Sequence, residues 1–126
     1  MITWFEKHNK LSWFITILGA IIIFYLSSIP FGIFAGYYII DIQSMIYHIL
    51  AFFLFGLFLL ISLIKGKIKY FVFALGIIMS IAYAISDEIH QFFVPGRFCS
   101  LFDVFLDIVG ISFACMVYLI LKYKEI

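Results

Sequence analysis

A chain of 126 residues that is 67% hydrophobic, 12% charged and has a formal net charge of +1 lies outside the composition of a soluble globular domain and reads as an integral membrane protein. Mean hydropathy is +1.24, and the few basic residues form no nucleic-acid footprint, which excludes nucleic acid as a partner. Cys99 and Cys115 make no metal or redox spacing, and no disulfide is expected between them.

Residues 1–10 carry Glu6, Lys7, His8 and Lys10 ahead of an apolar run over 11–29. About 20 apolar residues cross a hydrocarbon core of roughly 30 Å, so this run can span. Its basic start resembles a secretory signal, but the run is longer than a usual signal core and is expected to stay as an uncleaved helix. Pro30 and Gly32 should end it. The stretch from Phe31 to Ser44 is apolar, broken by glycines and too short to cross, so it is expected to lie in the interface or re-enter, with Tyr37 and Tyr38 at headgroup depth. A second span is expected over 45–64, and Lys65, Lys67 and Lys69 mark the loop before a third over 70–90. Pro95–Gly96 is a strong turn signal. Ser100 is placed as N-cap of a fourth span, 101–121, with Asp103 three residues on in the manner of a capping box. The sequence thus predicts a single all-α membrane domain, a four-transmembrane-helix bundle.

Lys7, Lys10, Lys65, Lys67, Lys69, Lys122 and Lys124 all fall on one side of such a bundle, and Arg97 alone falls opposite. By the positive-inside rule both termini are expected in the cytoplasm. Asp41, His48, Asp87, Glu88, His90, Arg97, Asp103 and Asp107 then lie at or near the outer face. On helices, Asp87, His90 and Gln91 share one stripe and Asp103 and Asp107 another, while His48 shares a face with Phe52 and Gly56 on the second span. Three helices can therefore aim polar groups at one point. Asp107 lies roughly 10 Å into its span at roughly 1.5 Å per residue, where an unpaired carboxylate costs several kcal/mol, so it must be protonated, paired or facing a wet cavity. Arg97 has the planar fork that suits a carboxylate or a phosphate. The start of the fourth span adds backbone N–H groups that favour an anion.

Ser86-Asp87-Glu88, His90-Gln91-Phe92, Pro95-Gly96-Arg97, Ser100, Asp103, Asp107 and Gly110 resemble the signature D-E-x-x-Q-x-F-x-P-G-R-x-x-S-x-x-D-x-x-x-[DN]-x-x-G of the VanZ-like family. His48, the aromatics after it and Gly56 resemble the family's H-F-x-x-Y-x-x-L-G element. Met45 stands where family members commonly carry a lysine. The resemblance implies a small multi-pass protein of the bacterial plasma membrane whose prototype is associated with resistance to teicoplanin-type glycopeptides. It implies no reaction.

Each feature also has a plainer role. Asp87 and Glu88 can be an acidic helix end among headgroups, Arg97 a lipid-phosphate anchor, Ser100 and Asp103 helix-start groups, and His48 a satisfied structural histidine. Three readings stay open. In the first, favoured, the protein binds an anionic lipid-linked cell-wall precursor or a lipoglycopeptide through Arg97, Gln91, Ser100, Asp103 and Asp107. In the second it is a membrane-embedded enzyme on an envelope lipid, with Asp87 or Glu88 as base and His48 or His90 as acid, around a divalent cation held by Asp87, His48 and Asp103. The third is a structural or ion-handling membrane protein.

Overall fold

The computed structural model describes residues 2–30 and 42–124. The expected interfacial or re-entrant segment falls, from residue 31 to 41, outside them, and Asp41 with it. The described residues form a short helix α1 (Ile2–Lys7) and four long ones, α2 (Asn9–Ser27), α3 (Ile42–Ile64), α4 (Tyr70–Phe92) and α5 (Leu101–Tyr123). Helices α2 to α5 are each long and apolar enough to cross a membrane, as a multi-pass membrane protein requires.

The helix ends follow from local chemistry. Lys65 and Gly66 adopt positive φ (48° and 114°) and stop α3. Gly96 has φ 77°, and Arg97 N–H donates to Val94 O at 3.1 Å, so Pro95 and Gly96 occupy the centre of a β-turn that needs a glycine at its third position. Ser100, extended at φ −123°, caps α5 by accepting from Asp103 N–H.

Five helix ends differ from the sequence reading by two or three residues: both ends of α2, the start of α3, and the ends of α4 and α5. The last three residues assigned to the interfacial segment, Ile42 to Ser44, form the first turn of α3. The first span begins at Asn9, earlier than expected, because the Asn9 side chain donates to Ser62 O at 2.9 Å and so has a polar partner inside the bundle. Helix α1 was not foreseen.

Side-chain bonds fix the directions of the helices. Asn9 meets the end of α3, Arg97 meets Leu26 at the end of α2, and His48 near the start of α3 meets Asp107 near the start of α5. Each span therefore runs opposite to the next, and α3 and α5 run parallel. Helix α3 packs on every other helix, most extensively on α5.

Lipid is as apolar as leucine, so burying apolar area does not hold such helices together; close packing of small residues and interhelical hydrogen bonds do. A Cβ added at Gly56 would sit 3.4 Å from Ala114 Cβ, and Ala84 and Ala114 are fully buried. Thr16 and Ser62 hydroxyls pair at 3.1 Å, and Tyr83 O–H donates to Ala20 O at 2.6 Å. Large apolar side chains such as Phe14, Ile21, Leu54, Ile78 and Phe105 point outward instead.

Candidate functional site

The site begins with a glycine. A Cβ at Gly110 would collide with the backbone carbonyl of Ile49 and stand 3.0 Å from Phe53 N, so only glycine lets the backbones of α3 and α5 come this close. One turn before Gly110 on α5 is Asp107, and one residue before Ile49 on α3 is His48. The close crossing brings them together, with His48 Nδ1 2.8 Å from Asp107 Oδ1. With the carboxylate accepting, Nδ1 carries a proton, and in the neutral ring the other nitrogen keeps its lone pair. Asp107 is 0% exposed and His48 2%.

Helix α4 contributes Glu88, 1% exposed. Its Oε2 accepts the Ser100 backbone N–H at 2.9 Å, while Ser100 Oγ accepts Asp103 N–H at 3.3 Å. The start of α5 is thus held from both sides, and Glu88 is drawn to the same depth as Asp107. One ligand-capable atom from each of His48, Glu88 and Asp107 lies within 4.8 Å of the other two, a grouping of metal-ligating side chains that no other described residues make.

Hydrogen bonds leave part of this cluster open. Asp87 Oδ2 accepts from Gln91 Nε2 at 3.0 Å. Yet Asp87 Oδ1, Glu88 Oε1, Asp107 Oδ2 and the Tyr47 hydroxyl are buried without a hydrogen-bond partner. Buried polar atoms are paired in the great majority of cases, so three open carboxylate oxygens at one end of one bundle need a reason. Electrostatics sharpens the point: one imidazolium can balance at most one of three buried carboxylates.

Arg97 sits at the rim. Its Nε donates to Ile29 O at 3.0 Å and an Nη to Leu26 O at 2.7 Å, which ties the turn after α4 to the end of α2. Burial lowers the Arg97 pKa from its usual value, while Tyr47, Asp87, Glu88 and Asp103 pull it upward. The guanidinium therefore feels the acidic cluster while bonding α2.

The expected convergence of three helices on one cluster is present, with different leading members. His48 and Asp107 are in contact, and Glu88 rather than Asp87 completes the group. Of the metal candidates read from sequence, Asp87, His48 and Asp103, only His48 belongs to the grouping of ligand-capable atoms, which it forms with Glu88 and Asp107. Asp87 and Gln91 pair with each other in the interior. His90 turns to α2, where Nε2 lies 2.9 Å from Ser28 Oγ and the ring stacks on Phe24 at 4.4 Å. Helical spacing grouped His90 with Asp87 and Gln91, but the stripe is wide enough for α2 to take one edge of it. Ser100 acts through two groups, its hydroxyl on Asp103 N–H and its N–H on Glu88. The unpartnered Tyr47 hydroxyl went unforeseen; its only sequence signal was its place next to His48.

The profile of the VanZ/LLP1 family matches residues 3–122, nearly the whole chain and all of the site. No curated protein and no solved structure matches the chain.

Proposed function

The chain belongs to the VanZ/LLP1 family, and from that premise we propose a multi-pass protein of the bacterial plasma membrane, termini in the cytoplasm, that acts on the headgroup of a cell-envelope lipid. The distribution of lysines supports the orientation. One observation carries the chemistry: an imidazole fixed by a buried carboxylate, beside two more buried carboxylates with open oxygens. Groups arranged for proton transfer have this form, a titratable side chain oriented by a second and held away from water. Asp87 and Glu88 serve as proton acceptors, and His48, oriented by Asp107 and carrying a proton on its second ring nitrogen as well, polarises or protonates the headgroup. The order favoured by the sequence is thereby reversed, because Arg97 and the Ser100 N–H at the cap of α5, two of its anion-binding groups, are engaged with the Leu26 and Ile29 carbonyls and with Glu88.

The test uses purified protein in nanodiscs, offered an anionic phospholipid and a lipid-linked cell-wall precursor, with headgroup release or exchange followed by mass spectrometry. Wild type should turn one of them over, and Asp87→Asn should lower the rate about 100-fold or more. A second reading is favoured by the closure of the cluster, whose four acidic and imidazole members are at most 4% exposed. It is the holding of a lipid-linked precursor or lipoglycopeptide without turnover. Lipid retained by native mass spectrometry in the absence of any product would select it. A contribution to glycopeptide resistance is compatible with either, and growth of an Asp107→Asn strain on teicoplanin tests that contribution.

A further inference from the structure

We infer that His48, Glu88 and Asp107 bind one divalent cation, with an imidazole and two carboxylates as the protein's ligands. Three observations converge. The first is distance: the candidate donor atoms lie within 4.8 Å of one another. Ligands bound at roughly 2.0–2.2 Å around one ion stand roughly 3–3.8 Å from one another, so the donors need to close by at most about 1.5 Å, which side-chain rotation can supply. The second is open valence. Glu88 Oε2 is taken by Ser100 N–H and Asp107 Oδ1 by His48, whereas Glu88 Oε1 and Asp107 Oδ2 are buried with nothing to accept from. The third is support. Each carboxylate is oriented by a hydrogen bond to its other oxygen, as ligating carboxylates usually are, and all three residues stand on packed helices.

The chemistry of the donors narrows the ion. Calcium and magnesium prefer all-oxygen shells, while imidazole with carboxylates suits Mn2+ or Zn2+. Two carboxylates and a neutral imidazole around such an ion have no net charge, which meets the cost of burying them. A single proton would engage one or two of these atoms; an ion engages three. The inference rests on the same site as the proposed lipid chemistry and deepens it. The cation would take over polarisation of the headgroup, and Asp87, whose Oδ1 is also open, would be left to accept the proton.

The experiment is metal binding, read without activity. Protein in nanodiscs is stripped with chelator and titrated with Mn2+, followed by electron paramagnetic resonance, and with Zn2+, followed by calorimetry. Wild type should bind one equivalent of at least one of the two. Glu88→Gln should weaken that binding at least about 10-fold, while Glu6→Gln, which alters a buried carboxylate at the other end of the bundle, should bind as wild type does. If Glu88→Gln does not fold, wild type alone decides: Co2+ should give a ligand-field spectrum that Zn2+ abolishes. A wild type with no saturable site, or one equalled by folded Glu88→Gln, overturns the inference in favour of a proton shared between the carboxylates. Binding without turnover leaves the cation site standing and removes the enzyme; turnover that survives chelation does the reverse.

Discussion

The two ends of the bundle each bury carboxylates, and they treat them differently. At the end where α1 and α5 meet, Glu6 is fully satisfied: Tyr118 O–H donates to Oε1 at 2.8 Å and Lys122 Nζ to Oε2 at 2.5 Å. At the opposite end, Asp87, Glu88 and Asp107 each keep one oxygen partnered and one open. A carboxylate buried to hold helices together is matched by a cation and donors until nothing remains to bind. Three left half-satisfied in low dielectric make their end less stable than it could be. That is the pattern of groups retained for what they bind or transfer.

The strongest way to disturb the open end is through the glycine that assembles it. Gly110→Ala forces α5 away from the Ile49 carbonyl, with an expected cost of about 3 kcal/mol or more because the obstacle is backbone and cannot rotate aside. It should also separate His48 from Asp107. The matched control is Gly19→Ala, where an added Cβ meets nothing within 4 Å and stability should hold or rise. Unfolding in denaturing detergent, followed by circular dichroism, compares the two.

The next contrast sets the ends directly against each other. Glu6→Gln removes the partner of Lys122 and should cost about 2–3 kcal/mol, less than the roughly 3–5 of a fully buried pair because the lysine stem can swing its charge to water. Asp107→Asn removes a charge whose second oxygen has no partner, and an amide oxygen can still accept from His48. Its stability should equal or exceed that of wild type while the function of the site is lost. A loss of stability for Asp107→Asn as large as that for Glu6→Gln would make both ends structural.

The sequence made the second of these ends legible and hid the first. Spacing of three and four residues placed His48, Asp87, Asp103 and Asp107 on inward faces because helical geometry is local. The Pro95–Gly96 turn and the Ser100 cap were readable for the same reason. Glu6 meets Tyr118 and Lys122 across more than a hundred residues, a separation that carries no periodic signal, so Glu6 looked like one more terminal charge. The choice of Glu88 over Asp87 was equally hidden. The two residues are adjacent, and which one faces α5 depends on the rotation of α4, set by packing at sites such as Ala84 and Gly76.

Arg97→Ala tests how far the open end depends on α2. It deletes two charge-assisted bonds, to Leu26 O and Ile29 O, worth about 1–3 kcal/mol together given the partial exposure of the side chain. Arg97→Lys should recover little of this, because one ammonium cannot reproduce a planar fork on two carbonyls. Restoration of full stability by lysine, in the same detergent unfolding assay, would show that only the positive charge matters there.

The smallest expected effect separates capping from function. Ser100→Ala removes the hydroxyl that accepts Asp103 N–H, a long bond at 3.3 Å, so the loss should fall at the lower end of the N-cap range, about 0.5–1 kcal/mol. It leaves the Ser100 backbone N–H in place, and that N–H, not the hydroxyl, holds Glu88 Oε2. Metal affinity and lipid turnover should therefore stay near wild type although the helix start is weakened. If Ser100→Ala instead abolishes them with only this small change in stability, the hydroxyl itself meets the ligand, and the working centre extends from the buried group toward the first turn of α5.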